Sequence, residues 1–175
     1  MTPEELRQCL DEAFGGLEPP NFLDLSQSLA LDPDFEDAVR TETAKTRRWQ
    51  ELRPLNQFFP TSHNILVLRA EACQYYLPAF LYAMTNPEDV WRYLGSVLSI
   101  LWYEDENGDP LFNNLALRAE WEEFAALLTD GQKRCIAHCL VEILKSAGSI
   151  EECAEVHGEL DRIEYMLEEY WNAWL

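Results

Sequence analysis

Apolar residues recur at helical spacing in several separate segments of the chain. Leu6, Leu10 and Phe14 fall on one face of a first helix, which the Gly15-Gly16 pair ends. Further segments of this kind lie at about 69–84, 90–102 and 121–128, then after Thr129, and finally over 150–174. Strand patterns are weak throughout. The sequence therefore predicts an all-α fold, an irregular bundle of six or seven helices that forms a single domain over 1–175.

Two of the predicted helices differ sharply in character. The segment from Val90 to Trp102 is apolar around most of its circumference, which is typical of a helix at the centre of a core. The segment 150–174 has one apolar stripe and carries eight carboxylates against a single basic residue, Arg162. We expect the first helix to be central and the second to be a long acidic C-terminal helix packed across it.

Local signals mark where several helices begin. Thr2 and Glu5, Thr129 and Gln132, and Ser149 and Glu152 each have the spacing of a capping box, in which the two side chains bond to each other's backbone N–H groups. Asn86 before Pro87 is a further predicted N-cap. Pro78 lies inside the 69–84 helix, where its missing N–H predicts a bend.

The charge of the chain limits the partners that it can bind. Thirty-two acidic residues stand against thirteen basic ones, which gives a net charge of −19, and five of the thirteen lie between Arg40 and Arg53. A negative field of this size repels nucleic acid and anionic membranes, and it accelerates encounters with basic partners. We therefore expect a basic protein as partner, and neither a nucleic acid nor a membrane; the oligomeric state stays open.

The cellular location is predicted from the N-terminal residues and the apolar runs. The first thirty residues lack a basic start followed by an apolar stretch, and the most apolar segments are too short to span a bilayer. Five cysteines without close pairing are typical of reduced thiols. The sequence thus predicts a cytoplasmic protein.

Residues with the potential for metal or catalytic chemistry do not form a convincing pattern. On a helix the side chains of Cys135, His138 and Cys139 do not converge, as a zinc site requires. Cys153, His157 and Asp161 share a helix edge, where a boundary histidine is favoured over a metal or a Cys–His pair. A calcium loop starting at Asp105 fails because Pro110 takes the place of the required glycine. We predict no metal, no cofactor and no catalytic residue.

Two candidate sites remain, with a third interpretation beside them. The partner-binding candidate is on the last helix and comprises Glu164, Tyr165, Glu168, Glu169 and Trp171. The alternative is a ligand pocket of a small enzyme or binding protein near Pro78, built from Arg47, Arg48, Trp49, Tyr75 and Tyr76. The third interpretation is a self-associating structural subunit. It rests on the six tryptophans, of which Trp171 and Trp174 are expected to be partly exposed.

The chain contains the segment Tyr75-Tyr76-Leu77-Pro78-Ala79-Phe80-Leu81, with Trp49 to Leu52 and Phe58-Phe59 upstream. This combination resembles an uncharacterised bacterial family of small helical proteins, a domain of unknown function. Phe124 and the Thr129-x-x-Gln132 box are similar to a second block of that family. The resemblance covers about Trp49 to Leu144 and implies a helical fold, but it brings no activity and no catalytic residue. The acidic helix after Ser149 is an addition to the pattern. The function that these observations predict is an acidic bacterial protein of the immunity or inhibitor type, which neutralises a basic partner.

Overall fold

The computed structural model describes residues 1–20, 48–52, 68–102, 115–147 and 154–175. At 87–88, 115–120, 146–147 and 154–158 the description is confined to the helical backbone. The candidate calcium loop starting at Asp105 and most of the basic stretch between Arg40 and Arg53 lie outside these residues.

The described residues form an all-α bundle, as predicted. Six α-helices follow one another: α1 (Pro3–Phe14), α2 (Ala70–Ala83), α3 (Pro87–Leu101), α4 (Leu115–Leu127), α5 (Asp130–Ala147) and α6 (Ala154–Glu169). Two short 3₁₀ helices, Trp49–Glu51 and Trp171–Trp174, complete the described elements.

The core lies between α2, α3 and α5, against which the other helices pack. Helix α2 is buried over most of its length, including Leu77 and Phe80, and it continues through the buried Pro78. Helix α3 is also buried on most sides, as its apolar circumference predicts, and Val97 and Leu98 are fully enclosed. Helix α6 packs on both α3 and α5.

Two of the predicted capping boxes are present. At α1 the Glu5 N–H donates to Thr2 Oγ1 over 3.2 Å, and the Thr2 N–H donates to Glu5 Oε2 over 2.7 Å. At α5 the Gln132 N–H donates to Thr129 Oγ1 over 3.3 Å, and the Thr129 N–H donates to Gln132 Oε1 over 3.1 Å. The third box, at Ser149, lies outside the described residues.

The last helix ends earlier than predicted. Helix α6 stops at Glu169, because Tyr170 has φ −135° and ψ −53°, and the chain then tightens into the 3₁₀ helix Trp171–Trp174. This change of direction turns Trp171 into the core, and it leaves Trp174 half-buried with the Lys133 ammonium 4.8 Å from its ring centre. The C-terminal segment is thereby held against α5.

Candidate functional site: an acidic face on the last helix

The exposed side of α6 is made of carboxylates. Asp161, Glu164, Glu168 and Glu169 are all exposed, whereas Ile163 and Met166 on the opposite side are fully buried. At 100° per residue the four carboxylates cover rather less than half of the helix circumference. We call these four residues the acidic face.

The tyrosine of the partner-binding candidate lies in the middle of this face. Tyr165 follows Asp161 by four positions and precedes Glu168 and Glu169 by three and four, so the three carboxylates are its neighbours on the helix surface. Its side chain is half-buried. An aromatic ring held between carboxylates offers an apolar contact inside a negative field.

The charges of the acidic face are not balanced locally. Among the residues that the structure describes, none of the four carboxylates has an ion-pair partner. The nearest basic residue in sequence is Arg162. Its guanidinium lies 3.9 Å from Glu159 Oε2 and donates to the Trp102 carbonyl. Like charges at helix spacings of three and four repel each other. Glu168 and Glu169 also stand in the last turn of α6, where the helix dipole disfavours negative charge. The acidic face therefore destabilises the helix that carries it.

Trp171 does not belong to this exposed set. Its side chain is 1 % exposed and its ring packs edge-to-face against Tyr170, with 5.0 Å between the ring centres. The expectation that Trp171 is an accessible anchor is wrong, because the helix breaks at Tyr170. The half-buried rings next to this break are those of Tyr170 and Trp121, 5.7 Å apart.

Three of the side chains predicted to line the alternative ligand pocket near Pro78 are buried. Arg47 lies outside the described residues and Arg48 is exposed, whereas Trp49, Tyr75 and Tyr76 are buried. Trp49 Nε1 donates to the Phe14 carbonyl over 3.2 Å, and the two tyrosine rings pack edge-to-face at 4.9 Å. Burial and the neighbouring Tyr76 raise the pKa of Tyr75. These three aromatic residues therefore pack as part of the core.

A shallow acidic depression lies elsewhere, along α1. It has a volume of about 390 Å³ and is lined by Glu4, Arg7, Gln8, Asp11, Glu12 and Tyr82. Arg7 is already engaged there, since its Nε donates to Thr85 Oγ1 over 3.0 Å and its guanidinium lies 4.7 Å from the Tyr82 ring centre. The depression is open to solvent on the outside of the bundle.

Cysteines gather at the contact between α1 and α5, which the sequence pattern did not reveal. The Cys135 thiol and burial raise the pKa of Cys9. The Cys139 thiol and burial raise the pKa of Cys135, and the Cys9 thiol opposes them. The spacing of Cys135 and Cys139 by one helical turn was visible in the sequence, but the approach of Cys9 depends on how α1 packs.

The remaining chemical candidates are cysteines and histidines. Among the described residues, Cys9, Cys73, Cys135 and Cys139 are free thiols. His138 is half-buried beside the two α5 cysteines in sequence, while the side chains of Cys153 and His157 lie outside the described residues. Within the described ranges no three metal-ligating side chains come together.

The comparisons with known proteins give no match for this chain. No family model, no curated protein and no solved structure matches it. Within the described residues, no helix combines the length and apolar character needed to cross a bilayer. The resemblance of Trp49 to Leu144 to a bacterial helical family stays a prediction.

Proposed function

We propose that this protein is an acidic binding module that neutralises a basic protein, in the manner of a bacterial immunity protein or inhibitor. The observation that carries the proposal is the acidic face of α6: four exposed carboxylates without ion-pair partners among the described residues, arranged around the half-buried Tyr165. Because this arrangement destabilises its own helix, stability of the fold does not account for it. Binding of a positively charged partner does.

The proposed recognition has two components. The carboxylates Glu164, Glu168 and Glu169 attract a basic surface over a distance of about 10 Å at moderate ionic strength, and so accelerate encounter. Tyr165 then supplies the close contact, since tyrosine combines an apolar ring with a hydrogen-bonding hydroxyl. The buried Ile163 and Met166 hold the face in place on a packed helix, so little ordering of the backbone is needed on binding.

The net charge of −19 favours a basic partner over a polyanion. Nucleic acid phosphates and anionic lipid surfaces are repelled by such a field, whereas a basic protein is attracted to it from any direction. The four free thiols fit a reducing compartment such as the bacterial cytoplasm, which is part of the proposal.

A capture experiment with matched charge variants tests the proposal. The wild-type protein, the face variant E164Q/E168Q/E169Q and the control variant D11N/E18Q/E51Q are immobilised and exposed to lysate of the native host at low salt. Both variants lose three negative charges, but the control residues are exposed positions outside α6. We expect the wild type and the control to retain the same basic protein, which moderate salt releases, and the face variant to lose it.

Two results would contradict the proposal. Equal retention of the same protein by the face variant and the wild type would exclude the acidic face. Alternatively, all three proteins retain nothing basic at low salt, which would remove the basic-partner hypothesis itself.

A further inference from the structure

We propose that the basic partner contacts the acidic face of α6 through an arginine, whose guanidinium stacks on the ring of Tyr165 and pairs with a carboxylate beside it. This inference rests on the proposed function, because it names the side chain of the partner that the acidic face recognises. It separates arginine from lysine, which carries the same charge on a group of different shape.

Tyr165 lies between the carboxylates rather than at their edge. Around the axis of α6 it is about 40° from both Asp161 and Glu169 and about 60° from Glu168, at 100° per residue. Side chains three and four positions apart on a helix have Cβ atoms about 5–6 Å apart. A single guanidinium can therefore touch the ring and one of these carboxylates at the same time.

The core holds the ring of Tyr165 in place. The side chain packs against the buried residues of the bundle and is itself half-buried, while Ile163 and Met166 beside it are fully buried. A ring that is fixed on one side and accessible on the other loses little conformational freedom on binding. The accessible part of Tyr165 is thus a preformed contact for a flat group.

The same combination of groups occurs inside this protein, at the contact of α1 with α2. The Arg7 guanidinium lies 4.7 Å from the ring centre of Tyr82, and its Nη1 is 3.4 Å from Glu4 Oε2. One guanidinium there engages a half-buried tyrosine and a neighbouring carboxylate together. The acidic face presents the corresponding tyrosine and carboxylates, and these carboxylates have no ion-pair partner among the described residues.

Arginine fits this combination better than lysine does. The guanidinium is planar and weakly hydrated, so it loses less hydration than an ammonium group when it stacks on an aromatic ring. Its N–H groups also form a fork that can donate two parallel hydrogen bonds to one carboxylate. The compact and strongly hydrated ammonium of lysine depends more on the negative field alone. The acidic face should therefore discriminate between the two basic side chains.

Two capped peptides of equal charge, hexa-arginine and hexa-lysine, test the inference when each is titrated into the full chain by calorimetry at low salt. For the wild type we expect hexa-arginine to bind at least about fivefold more tightly than hexa-lysine. Tyr165→Leu should lower this ratio of affinities at least about threefold, whereas Tyr165→Phe retains the ring and should retain the ratio. The matched control Tyr82→Leu removes a tyrosine that already carries an arginine and should also retain the ratio.

The charge variants distinguish a failure of this inference from a failure of the proposed function. The face variant should weaken the binding of both peptides more than the control variant D11N/E18Q/E51Q does. If it does so while the wild type binds the two peptides equally, the acidic face stands and the arginine is excluded. Equal weakening by the two charge variants would overturn the acidic face and the inference together. An unchanged ratio in a folded Tyr165→Leu variant, or an equal fall in Tyr82→Leu, would overturn the stacking on Tyr165.

Discussion

The side-chain amide of Gln132 joins four helices at one buried point. It is 2 % exposed, and its Nε2 donates to the carbonyl of Ala13 at the end of α1 over 3.2 Å. Its Oε1 accepts from the Thr129 N–H and from Gln74 Nε2, which also donates to the Leu127 carbonyl at the end of α4. The capping box that opens α5 thus satisfies backbone groups of its neighbours, in a place where unsatisfied polar groups are costly.

Replacing Gln132 with Leu should destabilise the protein substantially. The substitution keeps the volume but leaves the Ala13 carbonyl, the Thr129 N–H and part of the Gln74 amide without partners, so we expect a loss of about 2–4 kcal/mol in the free energy of unfolding. Urea denaturation followed by circular dichroism measures it. Gln8→Leu on the exposed side of α1 is the matched control, with an expected change within about 0.5 kcal/mol. Equal midpoints for the two variants would contradict the structural role given to Gln132.

Asn86 lies at the predicted N-cap position, but its side chain makes a different hydrogen bond from the predicted one. It precedes α3 at the N-cap, as predicted, but its side chain makes no capping hydrogen bond. Asn86 Oδ1 instead accepts from the Arg7 guanidinium over 3.1 Å, which connects α1 to the turn before α3. A local sequence pattern cannot reveal this competition, because Arg7 is far away in the chain.

At the scale of a single element, α6 combines a well-packed side with an unfavourable distribution of charge. Its buried side fits α3 and α5, while its exposed side collects like charges and places two of them in the last turn. Neither the repulsion nor the dipole effect is compensated by a basic residue in that turn. A helix under selection for stability alone would carry lysine or arginine there.

Reversing one of these charges should stabilise the fold. Glu168→Lys replaces the repulsive pair with Glu164 by an attractive pair of the favourable orientation and places a cation at the helix C-terminus, so we expect a gain of about 0.5–1.5 kcal/mol. For a chain of this size that corresponds to a rise of about 1–6 °C in melting temperature by calorimetry. The control Glu4→Lys, in the first turn of α1, should have the opposite sign. A lower melting temperature for Glu168→Lys would show that the acidic face is stabilising after all.

At the scale of the whole molecule, the sequence predicted what depends on near neighbours. The all-α fold, the two described capping boxes and the burial of α3 follow from patterns within one helix each. The burial of Trp171 and the packing of α1 against α5 depend instead on where the chain breaks at Tyr170 and on contacts between distant parts of the chain. Helical spacing specifies which residues share a face, but it does not specify which residue of another helix will meet them.

The residues of the acidic face were likewise predicted only in part. Glu164, Glu168 and Glu169 were predicted from the sequence of the last helix and are exposed, whereas Tyr165 is half-buried and Asp161 was not among the predicted binding residues. The aromatic residue chosen beyond Tyr165 was wrong, because a 3₁₀ turn rotates Trp171 by an amount that a regular helix does not. Association kinetics test whether the acidic face binds a basic protein.

The most direct measurement is the association rate constant with the captured basic protein, followed by stopped flow from about 0.02 to 0.5 M ionic strength. For the wild type and for D11N/E18Q/E51Q we expect a fast rate that falls steeply as salt is added. For E164Q/E168Q/E169Q the rate at low salt should be at least about tenfold lower, with a much weaker salt dependence. An unchanged rate and an unchanged salt dependence in that variant would contradict the claim that the acidic face of α6 recognises the partner.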